Sequence, residues 1–193
     1  IKEHKRIIFN GNGYDDAWVK EAEKRGLLNL KTLPDAMERY LDAKNVEMFS
    51  KYGVYTETEM KSHHEVKLEK YSKVLNIEVN TMLDMIYKDI LPAAYAYMSD
   101  VAKSASKVMA VIPSAKCSAQ TNALKKITAL ADKLDENAQK LEKIHNDACT
   151  IVDVPKQARF YADKVIPQME ATRKIADQIE PILGEKYKPY PSY

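Results

Sequence analysis

Between Leu124 and Ala148 an apolar or weakly polar residue recurs every three or four positions: Leu124, Ile127, Ala131, Leu134, Ala138, Leu141, His145 and Ala148. On a helix that spacing draws one stripe, whereas on a strand it would scatter the same residues over both faces. A stripe of this length needs a partner, as in antiparallel helix pairs and coiled coils. A partner is encoded close by. Asp153-Val154-Pro155 combines a capping acid with a helix-initiating proline. After it Ala158, Tyr161, Val165, Met169, Thr172, Ile175 and Ile179 repeat the same period. Pro167 should bend this last helix, and Pro181 with Gly184 should end it.

The rest of the chain reads the same way. Thr56-Glu57-Thr58-Glu59 is a capping box, with Tyr55 and Met60 at staple spacing. A helix of about nine turns is expected from it. Its apolar side is Leu68, Tyr71, Leu75, Met82, Met85, Ile86 and Ile90, and Pro92 should kink or divide it before the pattern resumes through Val111. Two shorter helices precede this one. The first starts near Thr32-Leu33-Pro34 and carries Met37 and Tyr40; the second carries Val46 and Phe49 and ends at Gly53.

Only Arg6-Ile7-Ile8-Phe9 reads as a strand, closed by the turn Asn10-Gly11-Asn12-Gly13. A helix through Trp18 and Ala22 follows and stops at Gly26. A single strand has no ladder partner within the sequence. The expected class is therefore all-α: an antiparallel bundle of long helices with one short N-terminal strand left from a missing sheet. Residues 1–30 form a strand–turn–helix junction, 31–185 a helical domain, and 186–193 an extended tail. The start at Ile1, the close after Pro-Tyr-Pro and the orphan strand together suggest a piece of a longer chain.

Composition narrows the functions. The formal charge is +2, with Lys and Glu interspersed, so no one-sided basic stripe marks a nucleic-acid partner or a membrane surface. No apolar run approaches the length of a membrane span. Cys117 and Cys149 are too few for a disulfide framework and read as reduced thiols in a cytoplasmic protein.

Several constellations could carry chemistry, and each has a plainer reading. Gly11-Asn12-Gly13 lies where phosphates are often cradled, but no third glycine or Lys-Ser/Thr pair follows, so it reads as a structural turn. Glu142 and His145 have the Glu-x-x-His spacing of bundle-type di-iron sites, which need a second copy and further glutamates. With neither present, His145 reads as a packed histidine. His63, His64 and Glu65 point in different directions on a helix and read as exposed. The sequence assigns no catalytic, cofactor-binding or metal residue.

A resemblance sharpens this. Arg6 to Tyr14, then Trp18-Val19, Glu21-Ala22-Glu23, Arg25-Gly26-Leu27 and Asn29-Leu30-Lys31, strongly resemble type III glutamine synthetases. The likeness continues through Leu33-Pro34-Asp35-Ala36, Tyr71-Ser72-Lys73, Asn76-Ile77-Glu78 and Ile90-Leu91-Pro92-Ala93. From about Ser104 to Ile182 it is one of helical character. Tyr190-Pro191-Ser192-Tyr193 is similar to the start of that family's closing segment. The resemblance implies a parent enzyme that uses ATP and Mg2+ (or Mn2+) to phosphorylate glutamate before ammonia displaces the phosphate. Its catalytic residues would lie mainly upstream. The partners it implies are the rest of the catalytic chain and neighbouring subunits of a homo-oligomer, with no nucleic acid and no membrane. The rival expectation is a stand-alone helical adaptor that docks a protein on the Leu124–Ala148 seam.

Overall fold

A computed structural model describes residues 2–191. The chain forms two compact units, Ile1–His64 and Glu65–Tyr193. The described residues are helical throughout their ordered elements and include no strand.

The first unit holds α1 (Asp16–Lys24), α2 (Leu33–Tyr40), α3 (Ala43–Lys51) and the opening turns of α4 (Glu57–Met85). The strand expected at residues 6–9 is not formed. Lys5–Ile7 instead make a 3-10 turn, in which the Ile7 and Ile8 amides donate to the His4 and Lys5 carbonyls at 3.2 and 3.0 Å. Without a neighbouring strand, local turn bonding takes the place of ladder pairing for those amides, in a segment that is also open to solvent. The Asn-Gly turn does form: Asn12 Oδ1 accepts from the Tyr14 amide at 3.1 Å. α1 ends on Gly26 at φ +72, which lets the Leu27 amide reach back to the Ala22 carbonyl at 2.9 Å. α2 is capped by Thr32, whose Oγ1 accepts from the Asp35 amide, with Pro34 in the first turn. The capping box closes in both directions: the Thr56 amide donates to Glu59 Oε2 at 2.8 Å and the Glu59 amide to Thr56 Oγ1 at 3.3 Å.

The second unit contains the remainder of α4, α5 (Leu91–Val111), α6 (Ser118–Cys149), α7 (Val154–Phe160) and α8 (Ile166–Ile179). α6 packs against α5 on one side and α8 on the other. Cross-links give the direction of each pairing. Cys149 meets Asn76, Thr128 meets Met98 and Cys117 meets Ala105, so α6 runs opposite to α4 and α5. Tyr161 meets His145 while Gln168 and Thr172 meet Asn137, so α6 also runs opposite to α7 and α8.

The seam read from the sequence is the centre of this unit. Ile127, Leu134, Ala138, Leu141 and Ala148 are fully enclosed, and Leu130 joins them. Val165 and Ile179 face them from the last helix, with Leu75, Val79, Ile86 and Ala94 from the other side. At about 25 cal/mol per Å2 of apolar surface removed from water, such stripes supply most of the favourable energy of a helical fold.

Both internal prolines act where the sequence placed them, in an unexpected form. Pro92 and Pro167 each sit at the second position of a resumed α-helix, and a π turn precedes each, Ile86–Ile90 and Tyr161–Val165. A proline ring collides with the carbonyl four residues back, and widening the preceding turn makes room for it while the helix continues. After α8, short 3-10 turns at Glu180–Ile182 and Glu185–Tyr187 lead into the tail. Its last two residues, Ser192 and Tyr193, lie outside the described residues.

Candidate functional site

The turn at Gly11–Gly13 stands beside an aromatic cluster. The Phe9 and Trp18 rings stack with centroids 4.0 Å apart. The Arg25 guanidinium lies 5.5 Å from the Trp18 ring, is held by Glu21 at 2.7 Å and donates to the Ile8 carbonyl at 3.0 Å. A Cβ on Gly11 would stand 2.5 Å from Phe9 Cζ. The glycine is there to let Phe9 lie close, which is the structural reading of the turn. Arg25 also holds the Glu21 carboxyl below its usual range, first by hydrogen bonding and then by charge.

This N-terminal segment leaves much apolar surface outside. Tyr14 is fully exposed, Leu28 is 65% exposed and Ile7 62%, with Ile8, Val19 and Leu30 also open. Among the described residues of the first unit only Pro34, Met37 and Met60 are buried.

The other candidates separate or turn inward. Glu142 faces solvent while His145, three residues on, is buried, so the Glu-x-x-His pair does not converge. His145 Nδ1 meets the Tyr161 hydroxyl at 3.4 Å and its Nε2 meets Cys149 Sγ at 3.8 Å. Burial lowers the His145 pKa and, with the Cys149 contact, raises that of Tyr161. Both groups are thereby kept neutral, as an internal polar contact between helices requires. His63 packs edge-on to Tyr55, 4.9 Å between centroids. Cys117 caps α6 in a left-handed conformation and both cysteines are free thiols. Among the described residues no three His, Cys, Asp or Glu side chains gather as a metal site. Nor is any helix among the described residues long and apolar enough to cross a membrane.

Two arrangements escaped the sequence reading. Gln168 is buried and donates to Asn137 Oδ1 at 3.0 Å, while Thr172 donates to the Gln168 carbonyl at 2.8 Å. This polar clasp ties α6 to α8, and nothing in the period of three and four distinguishes it from the apolar stripe. The second is the tail. Tyr187 donates to Asp100, and Tyr190 donates to Asp89 at 2.5 Å. The Tyr187 bond is the main cause of a lowered Asp100 pKa, and burial with the Asp89 contact pushes the Tyr190 phenol up to about 12. The sequence showed this segment only as an extended tail, with no signal that its tyrosines are fastened to α5 and the π turn before it.

These features define an all-helical protein whose second unit has a closed core and whose N-terminal residues carry exposed apolar side chains. The chain belongs to the glutamine synthetase C-terminal domain family, whose profile matches residues 1–109. It is 36% identical over 190 residues to a glutamine synthetase of Butyrivibrio fibrisolvens, covering 98% of this chain and 27% of that protein. It is 33% identical over 195 residues to the type-3 glutamine synthetase of Dictyostelium discoideum, covering 99% and 26%. A glutamine synthetase of Bacteroides fragilis is 24% identical over 191 residues. The chain thus spans about a quarter of the length of the curated relatives it matches. The type III resemblance seen in the first half of the sequence extends through the long helices.

Proposed function

We propose that this chain is the helical C-terminal portion of an ATP-dependent glutamine synthetase, which joins ammonia to glutamate in the cytoplasm. Its work there is to pack against the catalytic body and neighbouring subunits of a homo-oligomer and to support their folding. In this reading α4–α5, α6 and α7–α8 form an antiparallel bundle, residues around Asn10 to Tyr14 are the junction, and the groups that hold ATP and Mg2+ (or Mn2+) belong to the rest of the enzyme. The observation that carries the proposal is the exposed apolar set Ile7, Ile8, Tyr14 and Leu28, inside the stretch that matches the family profile. Apolar surface of that density is usually covered by a partner.

The stand-alone adaptor is disfavoured because its docking seam is already covered within the chain: Leu134, Ala138 and Leu141 have no exposed surface. The test has two parts. The chain alone should form no γ-glutamyl product from glutamate, ATP and ammonia, and turnover above background would contradict the supporting role. Co-expressed with the rest of a type-3 enzyme, it should co-purify with that body. A Tyr14→Ser, Leu28→Ser double variant should lose this association while keeping its helical content; undiminished association would sink the junction.

A further inference from the structure

One surface of the second unit has no part in the proposed junction. Between α4 with its π turn and α8 lies a groove of about 930 Å3, at the upper end of what small-molecule pockets reach. Its floor is apolar and rich in thioethers, with Met82, Met85 and Ile90 on one wall and Met169 and Leu183 on the other. The first wall runs from Leu75 to Ile90, about 22 Å at 1.5 Å per residue. That is a trench four helical turns long, too elongated for a compact ligand and matched to the side of a helix. Pro189 and Tyr190 line it too, fixed by the Tyr190–Asp89 bond.

The rim has a definite sign. Glu78 stands on one edge and Glu170 and Asp177 on the other, with Arg173 of the same edge 3.7 Å from Asp177. The whole chain carries a formal charge of +2, so this acidic border is local and does not reflect general composition. Methionine side chains adapt to varied apolar partners, and an acidic border selects basic flanks.

We infer that this groove receives an amphipathic helix of another polypeptide, about four turns long, with an apolar stripe on the Met floor and Lys or Arg along the acidic rim. Helix-in-groove docking needs anchors at i, i+3, i+4 and i+7, which the length of the trench accommodates. The inference rests on the second unit alone, and its test does not depend on the proposed role in glutamine synthesis.

The test uses the full 193-residue chain and three fluorescein-labelled 15-residue peptides: an amphipathic Leu/Lys helix, its Leu/Glu counterpart, and a shuffled Leu/Lys peptide without a stripe. Anisotropy should show saturable binding of the first and at least tenfold weaker binding of the other two. A Glu78→Lys, Glu170→Lys double variant changes only exposed side chains. It should weaken the Leu/Lys peptide at least tenfold and gain affinity for the Leu/Glu peptide. A Met85→Asn, Met169→Asn variant should weaken both. Equal binding of the Leu/Lys and shuffled peptides, or unchanged affinity in the charge-reversed variant, would overturn the inference. So would a concentration-dependent mass that the Met variants abolish, since the groove would then be covered by a second copy.

Discussion

Leu134 and Leu28 are the same side chain in opposite circumstances, one with no exposed surface and the other 65% open. The contrast extends to their surroundings. From residue 65 onward, apolar positions recur at helical period and meet others of the same period across α6. Before residue 65, helices of eight or nine residues carry the apolar positions, too short for a seam; most of their large side chains are only half-buried, and strongly exposed ones such as Tyr14, Leu28 and Ile7 lie in the segments outside them. Short helices are marginal in water without tertiary packing. Two strategies follow in one chain: a second unit built on an enclosed apolar seam, and a first unit ordered by local caps and aromatic stacking, with apolar side chains left exposed.

The first way to break this comparison is to attack the seam. Leu134→Ala should destabilise the chain by about 2–5 kcal/mol in denaturant unfolding, the range for emptying a fully packed leucine site. Leu134→Glu should abolish the cooperative transition. The same changes at Leu28 should leave that transition within about 0.5 kcal/mol of the parent.

A smaller effect is expected at the polar contact inside the core. Tyr161→Phe removes the hydroxyl that meets His145 Nδ1 and should cost about 1–3 kcal/mol, the range for stranding a buried polar group. This site also sets a pH dependence. Burial lowers the folded-state pKa of His145 below its usual 6.5, so the unfolded chain takes up the proton first. His145 therefore contributes stability above pH 6.5 that is lost as pH falls from there through its folded-state value. Unfolding midpoints followed from pH 7.5 to 5 should drop in the parent, and that component of the slope should vanish in His145→Leu.

At the boundary between the regimes, Thr56→Ala should cost about 1 kcal/mol of helix stability. It should be visible as faster hydrogen exchange in the first turn of α4 and unchanged exchange in α6. The smallest effect belongs to Ser72, whose buried hydroxyl has no hydrogen-bond partner among the described residues. Ser72→Ala should be neutral or stabilise by up to about 1 kcal/mol, because it removes an unsatisfied group and improves helix propensity.

Much of the long-helix framework was legible in the sequence, for a physical reason. The period of three and four, the capping box at Thr56 and the Asp153-Val154-Pro155 start are local signals, and each is realised in a hydrogen bond or a buried stripe. What escaped depends on position in space. The Gln168–Asn137 clasp joins residues 31 apart, and the π turns before Pro92 and Pro167 answer a steric demand that the sequence shows only as a proline. The residues 6–9 strand failed because β-propensity has no meaning without a neighbour to pair with. Its apolar residues remain as exposed Ile7 and Ile8. The family of this segment was legible only through the resemblance at Arg6 to Lys31, which the profile over residues 1–109 bears out; neither periodicity nor spacing marks it.

Amide hydrogen exchange tests the central contrast most directly, compared between the chain alone and the same region within an intact type-3 glutamine synthetase. The account predicts that amides of α6 and α8 are protected to a similar degree in both. Amides of α1 and the turn from Asn10 to Tyr14 should exchange rapidly in the chain alone and slow at least a hundredfold in the intact enzyme. Equal exchange at α1 in the two settings would contradict it, because the exposed face of the first unit would then be covered by nothing.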